Sequence, residues 1–336
     1  MRIYIVKRTI YLLLLCFLTV CCTKSNVSTD LSVIPVASMV GKYELLNISD
    51  YASSISYIPL ETNENALVSD VIEQIIYENE QFIVRDPTTN ASCMVFDKSG
   101  RYLHNLGRKG MGPGEYTSVR HISTWNDSIF LYIPYPAKIN IYNKDGQLLD
   151  IMNMDSIHAT YFIFPVWYLK PHIYLSDVVT MTPPNSIASY PRALLLQEEN
   201  NRLTVNKEYP YVNYRVEIGG FSTNFEIATM YRFNDQIRTY KAINDTIFTV
   251  GPDTEMKTAF VFDFGKYRAS TEWMFGRIAD KISVYIWPPN IMESSDYLFI
   301  EFFFGKHAPE SFEYVYRRWS EGSERIWPDH RVFSLF

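Results

Sequence analysis

Cysteine is scarce where it would matter most. Of the four in the chain, Cys16, Cys21 and Cys22 fall within the first 22 residues, which leaves Cys93 alone in the body. A lone body cysteine excludes an intramolecular disulfide framework, and no Cys/His spacing has the form of a zinc site. Cys93 stands in the apolar stretch Ala91-Ser92-Cys93-Met94-Val95-Phe96, where a buried, inert thiol is expected rather than a nucleophile. Basic clusters are lacking as well: 31 Lys and Arg face 37 Asp and Glu, a formal net charge of −6. Nucleic-acid binding rests on neutralising phosphates, so no nucleic-acid partner is expected. Helical periodicity is weak throughout, and residues 270–281 are the one stretch that admits a helix.

What is present begins with an address. Met1 to Arg8 carries three positive charges and no acid, and residues 9–20 follow without a charge, four leucines in a row among them. A basic start followed by a short apolar stretch is the layout of a secretory signal, and the stretch falls short of the roughly 20 residues a spanning helix needs. It ends in Leu18-Thr19-Val20-Cys21-Cys22, which resembles a bacterial lipobox, where the cysteine after the cut receives diacylglycerol. Leu18 favours Cys21. The residue before the cut is normally small, however, which speaks against Val20 in that place and favours Cys21 before Cys22. Cys22 is therefore the preferred lipidation site and Cys21 the alternative. The expectation is a protein held by an N-terminal lipid at the cell envelope, on the periplasmic or surface face of the outer membrane. Loss of Arg2, Lys7 and Arg8 with the leader takes the net charge to about −9. Residues 23–40, rich in Ser, Thr and Val, read as a tether, and residues 41–336 as the folded body.

That body repeats. Met94-Val95-Phe96-Asp97-Lys98-Ser99-Gly100 returns as Asn140-Ile141-Tyr142-Asn143-Lys144-Asp145-Gly146, and the two glycines stand 46 residues apart. Each copy reads as a strand, a tight turn needing positive φ at glycine, and a second strand. Upstream, residues 81–86 correspond to 128–133, and residues 71–76 to 119–124. Four short strands per unit at this period predict an all-β fold, a β-propeller of four-stranded antiparallel blades. Later units are more degenerate: residues 172–176 and 192–197, separated by the Pro-rich stretch 182–186, then 236–240 and 245–250, then 297–304 and 312–316. Residues 43–60 read as a strand that completes the last blade and so removes an exposed edge.

The chain also resembles a family, the six-bladed β-propeller lipoproteins of Bacteroidetes, which are NHL-repeat-like. The likeness rests on Tyr57-Ile58-Pro59-Leu60-Glu61-Thr62, on Phe96 to Gly100 running into Gly107-Arg108-Lys109-Gly110-Met111-Gly112-Pro113-Gly114-Glu115-Tyr116, and on Asn244 to Phe248 followed by Phe262 to Lys266. It spans residues 42–327 and implies six blades. Such proteins usually carry an acidic, glycine-rich segment before a final Trp-Pro and several strands after it. Here residues 320–328 resemble a degraded form of that segment, so the last blade is expected to be incomplete.

The glycine-dense string invites a phosphate-loop reading, which fails because no Lys-Ser/Thr pair follows its last glycine. As a connection between blades it makes better sense, with Arg108, Lys109, Glu115 and Tyr116 available to line one face of the disc. His121, just beyond, is a further ligand-binding candidate, and His104 and His121 are placed to approach each other. The six histidines form no metal-binding pattern, so neither metal nor cofactor is expected, and no catalytic residue is identified. The aromatic stretch 161–168 suits either core packing or stacking against a sugar. Asp127-Ser128, Asp155-Ser156 and Asp245-Thr246 resemble O-glycosylation acceptors of exported Bacteroidetes proteins. The reading is a ligand-binding or protein-interaction module, in glycan or peptide uptake, and a structural partner in an outer-membrane uptake complex is a separate possibility. A propeller-fold hydrolase or lyase is the alternative, because fold does not decide activity.

Overall fold

The computed structural model describes residues 32–40, 47–88, 93–158, 161–179, 181–182, 191–210, 222–223, 228–241, 244–268, 286–304, 310–317 and 326–329. The leader, the helix expected at 270–281 and most of the Pro-rich stretch lie outside them. Two compact units divide between Ser32 and Val33, and the fold below belongs to the second.

β1 (Ser32–Ile34) opens at that boundary. Four antiparallel strands follow as a meander: β2 (Gln74–Glu78), β3 (Gln81–Arg85), β4 (Cys93–Asp97) and β5 (Tyr102–Asn105). The second meander is β6 (His121–Trp125), β7 (Ser128–Pro134), β8 (Ala137–Asn143) and β9 (Leu148–Asn153). A single helical turn, α1 (Asp155–His158), leads to the third, built from β10 (Phe162–Lys170) and β11 (Ile173–Val179) and, after the short β12 (Met181–Thr182), from β13 (Pro191–Glu199) and β14 (Arg202–Pro210). β15 (Ser222–Thr223) pairs with β12. The fourth is β16 (Ala228–Phe233), β17 (Gln236–Lys241), β18 (Thr246–Val250) and β19 (Met256–Phe262), with β1 added outside β19. The fifth is β20 (Ile286–Glu293), β21 (Tyr297–Phe304), β22 (Glu310–Arg317) and β23 (Ile326–Asp329). One parallel bridge, Arg202 to Asn153, joins the second and third units into a single eight-stranded sheet.

Turn chemistry fixes the repeat. The first hairpin of three units turns on two residues that begin with an asparagine at positive φ: Asn79 (50°), Asn126 (52°) and Asn234 (54°). Asparagine tolerates that conformation better than most side chains, and such primed turns match the twist of the strands they join. The last hairpin turns on Gly100 (φ 85°) or Gly146 (φ 80°). Here close approach adds to the backbone requirement. A Cβ on Gly146 would stand 2.4 Å from Cδ2 of His104 in the preceding unit, and one on Gly100 would stand 2.1 Å from the Pro59 carbonyl oxygen. The glycine that marks the repeat is thus where each unit receives the chain that comes before it.

Successive units share their cores. Ile83 and Val95 of the first pack with Ile122, Leu131 and Tyr142 of the second. Phe130 and Ile139 of the second pack with Tyr174 and Leu194 of the third. Leu175 and Leu195 of the third pack with Ile237 and Val250 of the fourth. The opening strands of the units also meet: the Gln74 side chain (β2) receives the Ile122 N–H (β6) at 2.9 Å and donates to its carbonyl at 2.7 Å. The His121 ring (β6) lies edge-on to Trp167 (β10) at 4.7 Å. Arg238 (β17) forms a buried two-pronged pair with Glu293 (β20) at 2.9 and 3.0 Å. One contact skips a unit: the Arg232 guanidinium (β16) lies 4.5 Å over the Trp125 ring (β6). Opening strands of the second and fourth units can meet only if the units are arranged around a common centre. The fold is all-β and propeller-like.

Two expectations change. Residues 52–62 form no named strand, and Tyr57 is 93 % exposed. The segment is held instead by Glu61, whose N–H donates to the Gly100 carbonyl at 2.7 Å and whose carboxylate accepts the Tyr102 N–H at 3.0 Å. Just upstream, Tyr51 meets Tyr297 of β21 edge-on at 5.2 Å. Residues 32–40, read as tether, are folded: Ile34, Val36 and Met39 are buried against Phe260, Phe262 and Phe264. Reciprocal backbone bonds at 2.8 Å, from Asp263 N to Ile34 O and from Ala37 N to Asp263 O, hold them there. The apolar residues of that stretch supply an outer strand that its Ser/Thr content obscures.

Candidate functional site

Every unit begins and ends at one end of the opening strands, and the glycine-rich string connecting β5 to β6 sits there. It is a closed loop. Tyr116 N donates to Arg108 O at 3.1 Å, Gly110 N to Tyr116 O at 3.0 Å, and Glu115 N to Gly112 O at 3.0 Å. The Glu115 carboxylate folds back over the glycines, accepting the Gly112 N–H at 2.8 Å and pairing with Arg108 Nε at 2.6 Å. Those two partners hold its carboxyl below the usual carboxylate range, the Gly112 N–H foremost. A Cβ on Gly110 would stand 2.1 Å from that carboxylate, so a larger residue there would have to displace it. The loop is bolted to β8: the Gly114 carbonyl accepts from Asn140 Nδ2 at 2.9 Å and the Tyr142 hydroxyl at 2.8 Å, and the Glu115 carbonyl from Lys138 Nζ at 2.7 Å.

The five sequence candidates therefore separate. Arg108 keeps a highly exposed side chain on the loop surface, tied to Glu115. Lys109 reaches the Pro87 carbonyl at 3.5 Å. Tyr116 does not line a face: it is fully buried among Leu106, Ile122 and Tyr142, and burial pushes its phenol far up. His121 is buried too, and does not approach His104, whose ring rests on Gly146 while His121 packs on Trp167. Burial, with the Arg85 guanidinium nearby, pulls the His121 imidazole down to about 3, so it is neutral at physiological pH. Cys93 is buried, with its thiol pushed up by desolvation.

Beside His121 stand Arg85 and Trp167, and Lys241 holds the position in the fourth unit that Arg85 holds in the first. Arg85, the last residue of β3, pairs with Glu73 and donates to the Val119 carbonyl at 3.2 Å. Its Nε is buried without an acceptor, and so is the indole Nε1 of Trp167. Lys241, the last residue of β17, makes a fully buried pair with Asp177 of β11 at 3.0 Å. Arg85 and Lys241 hold the same place in their units, the end of the second strand, where the aligned residue of the second unit is Tyr132. A charged residue at a position that is otherwise apolar was the signal available in the sequence. Burying such charges is costly unless they are paired, which marks the place where Arg85 and Trp167 flank His121 as the candidate site. Its chemistry is fixed donors, an aromatic wall and a neutral imidazole. Among the described residues, no group of three or more His, Cys, Asp or Glu is gathered to hold a metal, and no helix is long and apolar enough to cross a membrane.

The class these features define is an all-β, propeller-like protein with a polar cluster where its units connect. The chain belongs to the family described as domain of unknown function DUF4934, whose profile matches residues 31–328. It is similar to a solved structure of a protein described as exported, from Bacteroides fragilis, at 19% identity and TM-score 0.61, over 82% of this chain and 75% of that one. It is also similar to a member of the DUF4221 family from Bacteroides vulgatus, at 13% identity and TM-score 0.54, over 81% of this chain and 84% of that one. These likenesses concern the fold alone. No curated protein matches the chain.

Proposed function

We propose that the protein is a lipid-anchored, extracytoplasmic propeller of six blades, NHL-like, that works as a ligand-binding or protein-interaction module in glycan or peptide uptake. The leader and lipobox support the address, with Cys22 as the lipidated residue, and the relative described as exported agrees with it. Six blades rest on the family likeness and on two apolar side chains, Ile75 and Tyr77, that the first unit leaves exposed along its opening strand. One observation carries the binding role: Arg85 Nε and Trp167 Nε1 are buried donors without an acceptor beside the neutral His121. Buried polar atoms nearly always find partners, and a ligand is the partner this arrangement suits. The loop residues Arg108, Lys109 and Glu115 form the rim of the same mouth, with Tyr116 and His121 supporting it from beneath.

A panel of oligosaccharides and short peptides, titrated against the mature protein, tests this. Binding without turnover is expected, weakened about tenfold by Trp167→Phe, which removes one uncompensated donor worth about 1.4 kcal/mol. Turnover of a panel member would replace the binding-module reading with an enzyme.

A further inference from the structure

The opposite end of the opening strands, where each turns into its second strand, holds a second polar centre. Arg232, late in β16, sits there. Its Nη2 donates to the Tyr168 carbonyl of β10, and its guanidinium lies over the Trp125 ring at 4.5 Å. Nε and Nη1 are buried and have no acceptor. The carboxylates nearby do not serve them. Glu78, the last residue of β2, accepts the Thr124 hydroxyl, and Asp235 is exposed in the turn after β16. A guanidinium with two buried, empty donor atoms loses hydration on both without a protein acceptor in return.

We propose that Arg232 anchors the carboxylate group of a ligand at this mouth, a site separate from the one around His121 and independent of the reading given to it. Four units supply its walls: Glu78 from the first, Trp125 from the second, Tyr168 from the third and Arg232 from the fourth. The charge count selects the ligand. Burial lowers the Arg232 guanidinium to about 10, while Glu78 and Asp235 lie close enough to oppose that shift. Their negative charge repels a dianion such as phosphate more than a monoanion, so one carboxylate fits where a phosphate does not. The planar guanidinium edge is matched to carboxylate oxygens in a way a lysine would not reproduce. A carboxylate reaches an envelope protein either on an acidic sugar or at a peptide terminus, and the two share this chemistry.

Titration calorimetry on the full mature chain separates the outcomes. Glucuronate and N-acetylglycine are the charged probes, with glucose and N-acetylglycinamide as neutral counterparts. At least one acid should bind tenfold or more tightly than its neutral counterpart, and the acid that does so names the source. Arg232→Gln should abolish that preference. Glu78→Gln keeps an acceptor for Thr124, removes the competing charge and should tighten acid binding several-fold; it decides the matter alone if Arg232→Gln does not fold. Equal binding of acids and neutral probes by the unmodified protein, a preference that survives Arg232→Gln, or no gain from Glu78→Gln would each overturn the proposal.

Discussion

His121 shows how a residue chosen from sequence changes meaning in the fold. A histidine beside a glycine loop suggests a titrating ligand contact; enclosed next to Arg85 and Trp167, it becomes a neutral supporting group. Its depressed value has a sign that can be tested. The unfolded chain takes up the proton near the ordinary 6.5, and the folded chain only near 3. The stability it contributes is therefore complete above pH 6.5 and is lost as pH falls toward 3, at about 1.4 kcal/mol per pH unit. Urea unfolding at several pH values should show His121→Gln losing less stability over that window than the unmodified protein. Parallel curves would mean that His121 titrates normally. Gly146 makes the second prediction at this scale. Gly146→Ala should cost about 1–2 kcal/mol from its left-handed backbone alone, plus the collision with His104. In a His104→Ala background the collision is gone, so the penalty should shrink to the backbone share.

Among elements, the contacts between opening strands matter most. Gln74 satisfies both backbone groups of the fully buried Ile122. Gln74→Ala should cost about 2 kcal/mol or more, because it leaves a buried N–H and a buried carbonyl unpaired at once. A drop in the urea midpoint with an unchanged slope would show it; a loss under about 0.5 kcal/mol would mean that water replaces the side chain. Much at this scale was legible in the sequence. Gly100 and Gly146 announce their turns because few residues adopt positive φ, and the strands around them follow by alternation. Residues 55–60 alternate equally well and form no strand; the segment is tied instead through Glu61 to Gly100 and Tyr102. Arg232 was not legible at all. Nothing local distinguishes it from a surface arginine, and its meeting with Trp125 and Tyr168 exists only once units two, three and four converge. The string from Gly107 to Tyr116 was legible as a specific motif; what it specifies is a loop locked onto Asn140 and Tyr142 rather than a cradle for phosphate.

For the whole molecule, the repeat explains why two polar centres arise together. Opening strands that converge on a centre expose their starts at one mouth and their ends at the other, and each mouth gathers side chains from several units. Metabolic labelling with palmitate should be lost in Cys22→Ala and kept in Cys21→Ala; the reverse would move the anchor by one residue. The account turns on a ligand occupying the mouth beside His121. A crystal structure of the mature protein soaked with the tightest binder from the oligosaccharide and peptide panel tests this most directly. An acceptor atom of the ligand within hydrogen-bond distance of Trp167 Nε1 or Arg85 Nε is the result expected. A ligand seated elsewhere on the surface, with both donors still enclosed by protein, would contradict it.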